Sequence, residues 1–509
     1  MSKIKIKSAL ISVFNKDGLD KIVEKLIEQD IVMYSTGGTQ AFIESLGGKV
    51  ERVEDLTGYP SILDGRVKTL HPKVFGGILA VRNDDHLSQL AKFDIPTIDL
   101  VIVDLYPFEE TVASATNEEE IIEKIDIGGI ALIRGAAKNF NDVVIIPSKD
   151  EYSILSSILN EQGGLTDFET RKDLARRAFK VSSHYDTAIF RYFNKENEND
   201  LSFKHSILDS KTLRYGENPH QQGTFFGKLE ENFEVFGSKE LSYNNLVDVD
   251  AAVLLMKEFK DDLPAFAILK HTNACGVAVR PTVLEAWKAA LAGDPISAFG
   301  GILICNTTID LATAKEIDKL FYEVLIAPAF DQDAHKLLTA KPKRILMKIN
   351  GFDIQNKTFK TLLNGVIMQD SDLAIESEDQ FTISTNEKPT AEQVKDLIFA
   401  NKLAKHLKSN TIVLAKDNQL LGMGCGQTSR IDACRHAIEK ATSFGFDIKG
   451  AAMASDAFFP FPDCVELAYN AGITSVIQPG GSIKDQLSID FCNDKKIPMV
   501  MTGVRHFKH

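Results

Sequence analysis

Near the N-terminus an apolar run, Ala9-Leu10-Ile11-Ser12-Val13, precedes residues 16–30, where Leu19, Ile22, Val23, Leu26 and Ile27 are apolar. That spacing draws one stripe along a helix. A second run, Ile31-Val32-Met33-Tyr34, leads into Ser35-Thr36-Gly37-Gly38-Thr39, and a helix is expected from about Gln40. Strand, helix, strand, glycine turn, helix is a parallel α/β pattern.

The Ser-Thr-Gly-Gly-Thr turn has a chemical reading. Glycines let backbone N–H groups approach an anion, hydroxyls add donors, and the next helix points its positive end there. Three further clusters fit a phosphorylated substrate. Asp64-Gly65-Arg66-Val67-Lys68-Thr69-Leu70-His71-Pro72 mixes cations, a hydroxyl and turn formers. A buried strand over residues 98–103 delivers Asp104-Leu105-Tyr106-Pro107-Phe108 at its end. Asp126-Ile127-Gly128-Gly129 opens a helical segment with Arg134, Lys138 and Asn139, before the strand Val143-Val144-Ile145-Ile146.

At 509 residues the chain is too long for one core. Residues 150–193 read as mainly helical, and the polar stretch 194–200 has nothing to bury, so it is the expected linker. Beyond it, Ala267-Ile268-Leu269 is a buried strand that breaks into Lys270-His271-Thr272-Asn273. Strand ends that turn polar are where α/β enzymes place chemistry, and a Lys-His pair offers an ammonium donor beside a group that moves protons near neutral pH. Further polar turns occur at Leu213-Arg214-Tyr215-Gly216 and Leu241-Ser242-Tyr243-Asn244-Asn245, with a helix expected from about Asp248. The loop Ala454-Ser455-Asp456-Ala457-Phe458-Phe459-Pro460-Phe461 could wall a flat heterocycle. By position alone, residues 505–509 would be a frayed end.

Composition excludes several classes. A net charge of −13 argues against nucleic-acid binding. The six cysteines all lie at or after Cys275 without a C-x-x-C pair, which fits free thiols rather than disulfides or a zinc ribbon. No run of 18 apolar residues occurs and no apolar signal core follows the basic start, so a cytoplasmic, non-membrane protein is expected. One motif points elsewhere. After the strand Thr411-Ile412-Val413-Leu414-Ala415, the segment Gly422-Met423-Gly424-Cys425-Gly426 before a helix suggests a nicotinamide dinucleotide site, but its spacing is G-x-G-x-G. A nucleotide sensor without catalysis is a second alternative.

Taken together and in order, Gly65-Arg66-Val67-Lys68-Thr69-Leu70-His71-Pro72, Leu213-Arg214-Tyr215-Gly216, Lys270-His271-Thr272-Asn273, Ser455-Asp456-Ala457-Phe458-Phe459-Pro460-Phe461 and Arg505-His506-Phe507 resemble the bifunctional enzymes that close purine biosynthesis. Those enzymes join AICAR (5-aminoimidazole-4-carboxamide ribonucleotide) transformylase to IMP cyclohydrolase. The resemblance spans nearly the whole chain. It implies a methylglyoxal-synthase-like α/β domain over 1–196 and a transformylase region over 201–509 built of two cytidine-deaminase-like subdomains. No His-x-Glu and Pro-Cys-x-x-Cys signature is present, so no catalytic zinc or other metal is expected. A homodimer is implied. No bound cofactor is implied; 10-formyltetrahydrofolate is the co-substrate, and AICAR, formyl-AICAR, IMP and reduced folate are the ligands. Phe14 and Asp104 depart from the small hydroxyl residue and the Asn usual in the family.

The resemblance also implies residue roles. In formyl transfer His271 moves the proton, Lys270 stabilises the oxyanion or assists the relay, and Asn410 orients the formyl oxygen. In ring closure Lys68, Tyr106, Asp126 and Lys138 form the proton-transfer and oxyanion group. Nucleotide contacts are expected from Ser12, Lys16, Ser35, Thr36, Gly37, Gly38, Thr39, Arg66, Thr69, Asp104, Gly128 and Gly129 before the linker. After it they are expected from Arg214, Tyr215, Asn245, Phe299, Gly300, Glu323 and Arg505. Asp456, Ala457, Phe458, Phe459, Pro460 and Phe461 would face the folate.

Overall fold

The computed structural model describes residues 3–195, 202–352 and 356–509. The chain forms two compact units, Met1–Leu208 and Asp209–His509. Residues 196–200 of the expected linker, and the expected domain edges at 196 and 201, lie outside the described residues. No described helix is long and apolar enough to cross a membrane.

In the first unit five parallel strands run in the spatial order Val50–Arg52, Val32–Ser35, Ser8–Val13, Leu100–Asp104, Val144–Ile146. Helices cover the sheet, so the inner strands Ser8–Val13 and Leu100–Asp104 are mostly buried and apolar rather than alternating, while the edge Val50–Arg52 is largely exposed. The expected stripe holds: in the helix Leu19–Glu28, Leu19, Ile22, Val23 and Leu26 are buried and Ile27 packs against the core. The helix expected from Gln40 begins earlier, as Gly37–Ser45, because Gly37 takes φ +57° without a side-chain clash. The order of strands reverses between Ser8–Val13 and Leu100–Asp104, whose carboxyl ends lie side by side with Val13 opposite Asp104. That reversal point is where open α/β sheets bind ligands.

The second unit is built on one twelve-stranded sheet made of two halves with the same element order. The first half runs edge strand Phe233–Phe236, helix Tyr243–Lys257, hairpin Ala265–Lys270 and Asn273–Val279, helix Val283–Gly293, then the parallel strands Ile302–Cys305, Val324–Ala327 and Ile345–Ile349. The second repeats it with Thr382–Ile383, helix Ala391–His406, hairpin Ile412–Lys416 and Gln419–Gly424, helix Arg430–Ser443, then Ala452–Ser455, Ser475–Gln478 and Met499–Met501. The halves join where Asn273–Val279 meets Gln419–Gly424 antiparallel.

This join overturns the dinucleotide reading. Gly422 and Gly424 are not a phosphate turn; they lie inside the strand Gln419–Gly424. Two residues apart, they share one face, and a Cβ at either would overlap a backbone carbonyl of the helix Arg430–Ser443. Gly276 plays the same part in the first half, where a Cβ would overlap Ala290 O. The actual turn is Asp417–Asn418, both with positive φ.

The C-terminal residues are not frayed. His506 is buried between Asp372, 2.7 Å away, and Glu376, 3.1 Å away. Its backbone N–H donates to Asp456 O at 3.1 Å, and Lys508 donates from its backbone to Ser409 Oγ and from Nζ to His406 O. Burial alone would push the imidazole pKa down, but the hydrogen bonds and charges of Asp372 and Glu376 outweigh it and raise it to about 9.

Two outcomes follow from this packing. Gly276→Ala should force helix and hairpin apart and destabilise the second unit by ~1–3 kcal/mol, read as a lower urea midpoint. His506 has a folded pKa above its unfolded value of about 6.5, so its stabilisation is complete below that pH and lost as pH rises through about 9. The second unit's urea midpoint should fall across that window in the wild-type protein, and His506→Gln should flatten the fall.

Candidate active sites

In the first unit a cleft of about 750 Å³ opens at the strand-order reversal. Ser12, Lys16, Thr36, Gly38, Thr39, Arg66, Lys68, Thr69, Asp104, Tyr106, Asp126, Gly128 and Gly129 line it. Two helices, Gly37–Ser45 and Gly128–Lys138, begin there, so the N–H ends of both border one space, with the Gly129 N–H taken by Asp126. The Thr69 hydroxyl lies at 3.0 Å, and the Lys68 ammonium at 3.8 Å, from where side chains on Gly128 and Gly37 would begin. Larger residues at those two positions would crowd the donors. Helix starts and cations arranged in this way suit an anion.

Acid–base groups sit beside this cradle. Burial pushes the Asp126 carboxyl up, against the Gly129 N–H that donates to it at 2.6 Å. Burial also raises Asp104, opposed by the Asn15 N–H at 2.9 Å. It raises the Tyr106 phenol, which Asp126 lifts further. Lys16 is lowered by burial, with Asp104 opposing and Lys68 reinforcing. Such opposed displacements in one cleft suit proton transfer.

Three expected residues fall elsewhere. Ser35 is fully buried and donates its hydroxyl to Ile11 O at 2.8 Å, serving the sheet rather than the cleft. Gly37 does not line the cleft wall itself, but its backbone starts the helix that does. Lys138 ends the 11-residue helix that Gly128 begins, about 15 Å along its axis at 1.5 Å per residue, and is exposed there. Lys138 is therefore not among the residues that line the cleft with Lys68, Tyr106 and Asp126. Conversely, Phe14 packs edge-on to Tyr106 with centroids 5.4 Å apart, and Lys124 Nζ lies 5.3 Å and 5.4 Å from the two rings. Tyr185 accepts the Asp126 N–H at 2.8 Å and donates to Lys124 O at 2.6 Å, fixing this wall from behind. Neither Lys124 nor Tyr185 carries a sequence motif; helical periodicity hides Tyr185 among core positions.

In the second unit the Lys270-His271 strand end is a two-residue hairpin turn. His271 and Thr272 have φ of 49° and 65°. Lys270 Nζ donates to Phe299 O at 2.8 Å, and a Cβ at Gly300, whose φ is +69°, would begin 3.2 Å from that Nζ. Glu323 follows on the same side, its N–H donating to Gly301 O and its carboxylate paired with Lys239. The helix Tyr243–Lys257 starts before the expected Asp248, because Ser242 and Asn245 form a reciprocal cap. Asn245 is buried in that cap, and Asn244 donates to Glu217 O at 3.2 Å, bringing the Arg214-Tyr215 segment to the helix start. One turn on, Asp248 accepts the Thr272 N–H at 2.7 Å.

The other half supplies the rest. Arg430 donates to Asn410 Oδ1 at 2.8 Å, to Asp456 Oδ1 at 2.9 Å and to Phe458 O at 3.2 Å. Asn410 Nδ2 donates to Gln427 O at 2.8 Å. Asn273 links this cluster to the hairpin turn, donating to His271 O at 2.9 Å and accepting from Cys425 across the join. Arg505 is exposed, its guanidinium 4.3 Å from the Phe507 ring. Of the aromatic loop, Asp456, Ala457 and Phe459 are buried, and Asp456 is committed to Arg430. Phe458 and Pro460 are half-buried and Phe461 is exposed, with Lys484 Nζ 4.2 Å from its ring. The surface that this loop offers is therefore narrower than its sequence suggests.

Comparison with known proteins covers both units of the chain. The family described as AICARFT/IMPCHase bienzyme matches residues 136–440, and the MGS-like domain family matches residues 18–131. The chain is 58% identical over 506 residues to the bifunctional purine biosynthesis protein PurH of Bacteroides thetaiotaomicron, covering 99% of each. It is 44% identical over 519 residues to the protein of the same name from Caldicellulosiruptor saccharolyticus, covering 99% of this chain and 100% of that one. The counterpart in Chlorobium phaeobacteroides is 42% identical over 525 residues, with full coverage of both. An MGS-like first unit followed by this second region, matched end to end by such relatives, means that the chain belongs to the AICARFT/IMPCHase bienzyme family.

Proposed function

We propose that this chain carries out the last two steps of IMP synthesis, with ring closure in the first unit and formyl transfer in the second. The observation that carries the reading is the pairing of an anion cradle and displaced acid–base groups in one cleft of the first unit with the Lys270-His271 turn of the second. The cytoplasm is the proposed location. 10-Formyltetrahydrofolate is a co-substrate, and no bound cofactor takes part.

In formyl transfer the 5-amino nitrogen of AICAR attacks the formyl carbon of 10-formyltetrahydrofolate. Conjugation with the imidazole makes that amine a poor nucleophile, so its proton must leave as the new C–N bond forms. His271 takes the proton. Lys270 and Asn410 stabilise and orient the oxygen that becomes an oxyanion. The bond to N10 of the folate then breaks, and N10 receives a proton. Arg214, Tyr215, Asn245, Phe299, Gly300, Glu323 and Arg505 hold the nucleotide. Phe458, Pro460 and Phe461 offer the folate an apolar surface. A homodimer completes the site, a reading supported by the exposed hairpin Lys357–Leu362 and Gly365–Asp370, on which Ile367 and Met368 are more than half exposed.

In ring closure the carboxamide nitrogen of formyl-AICAR attacks the new formyl carbon and water leaves. The reaction is intramolecular, so positioning supplies much of the acceleration. The helix starts at Gly37 and Gly128, with Arg66 and Thr69, hold the phosphate end, and Lys68 belongs to the proton-transfer and oxyanion group. Asp126 and Tyr106, both raised by burial, move protons at the reacting end.

Two substitutions separate the half-reactions. Asp126→Asn should lower cyclisation of supplied formyl-AICAR by about 10²-fold or more and leave formyl transfer intact. His271→Ala should do the reverse, with AICAR binding changed much less than turnover. A nucleotide sensor would bind AICAR and turn over nothing, so steady production of IMP from AICAR and formyl-folate by the wild-type chain decides against it.

A further inference from the structure

The turn that carries His271 is conformationally expensive. His271 and Thr272 both occupy the left-handed region, with φ of 49° and 65°, and neither is glycine. Two-residue hairpin turns with positive φ at both positions ordinarily use Asn-Gly or a similar pair. Adjacent L-residues held there persist only where their surroundings impose the conformation. The surroundings are visible. Asn273 Nδ2 donates to His271 O at 2.9 Å from within the hairpin. The tie from outside the hairpin is Asp248, whose Oδ1 accepts the Thr272 N–H at 2.7 Å.

Asp248 stands on the helix Tyr243–Lys257, three residues after Asn245 and therefore on the same helix face. The start of this one rigid element is tied through Asn244 to Glu217, beside the Arg214-Tyr215 pair, and through Asp248 to the His271 turn. Its carboxylate is half-buried, and burial raises its pKa while the neighbouring Thr272 N–H, His271 and Lys270 oppose that. We propose that Asp248 is a positioning residue for formyl transfer: by accepting the Thr272 N–H it holds the left-handed turn and sets the imidazole of His271 against the nucleotide gripped by the same helix. The inference rests on the reading of His271 as the proton-moving group.

The test uses the full-length chain and assays both half-reactions. Asp248→Ala should lower the kcat of formyl transfer by about 10-fold to 10²-fold, the scale of a small misplacement of a catalytic group. KM for AICAR should change less than about threefold, and cyclisation should stay at the wild-type rate. Asp248→Asn retains an acceptor oxygen and should recover most of the rate. Thr272→Gly, placed in the Asp248→Ala background, should also recover much of it, because glycine adopts the turn without an external tie. A structural role unrelated to the turn would not respond to glycine at 272. Wild-type transfer in Asp248→Ala overturns the proposal, as does an Asp248→Asn variant that is folded and as slow as Asp248→Ala. If Asp248→Ala loses both activities through misfolding, the double variant decides: recovered transfer supports the proposal, and continued inactivity overturns it. His271→Ala is assayed alongside. Rapid transfer in that variant removes the reading of His271 itself, whereas a slow His271→Ala beside a fast Asp248→Ala rejects Asp248 alone.

Discussion

Burial of the sheets on both faces governs where chemistry can occur in this protein. Strands such as Ala265–Lys270, Leu100–Asp104 and Ala452–Ser455 are apolar and closed to water along nearly their whole length. Polar groups can be used only where such strands stop. Lys270, Asp104 and Asp456 stand at or just beyond these ends, and each belongs to a candidate site or its support. Helix starts converge on the same places, since a helix crossing back over a parallel sheet begins near the carboxyl end of the strand before it. The cradle of the first unit is the direct result.

The second unit adds a condition. Its two halves share one sheet, and the join holds only because helices can lie almost on the hairpin backbones at Gly276, Gly422 and Gly424. The hydrogen bonds through Asn273, Cys425, Gln427 and Asn410 cross at this join, so the turn that carries His271 in one half is linked to the Asn410 amide of the other. Buried charges collect nearby. Arg430 with Asp456, Lys405 and His406 with Glu258, and His506 with Glu376 are all largely desolvated, while the second partner of His506, Asp372, is exposed. Pairs of this kind contribute little net stability against apolar packing, but breaking one strands a buried charge. They pin the C-terminal residues, and Arg505 with them, in one arrangement.

Much of this was legible in the residues alone. The stripe of Leu19, Ile22, Val23 and Leu26 identified a helix and its buried face, because apolar residues at a period of 3.6 line one side of a helix and scatter over both faces of a strand. The glycine turn at 37–38 and the Arg66 to Thr69 cluster were legible as a cradle, because few other structures use glycines, hydroxyls and cations so densely. The Gly422 to Gly426 segment misled for an equally physical reason. Glycine marks close backbone approach, and the sequence does not say whether phosphate or helix makes the approach.

The amino-acid sequence by itself determined the α/β class, the positions of the apolar strands and the residue types at their ends, because periodicity and turn chemistry are local. It also determined the family, since several specific motifs stand in register along the chain. Only the tertiary structure decided which polar residues share a space. Lys138 left the cleft because one helix carried it away from Gly128. Ser35 and Phe459 turned inward because their strand and loop required it. Tyr185 and Asp248 gained their supporting places because helices distant in sequence pack against the turns they hold. Proximity across long loops depends on how whole elements pack, and no local pattern of residues encodes it.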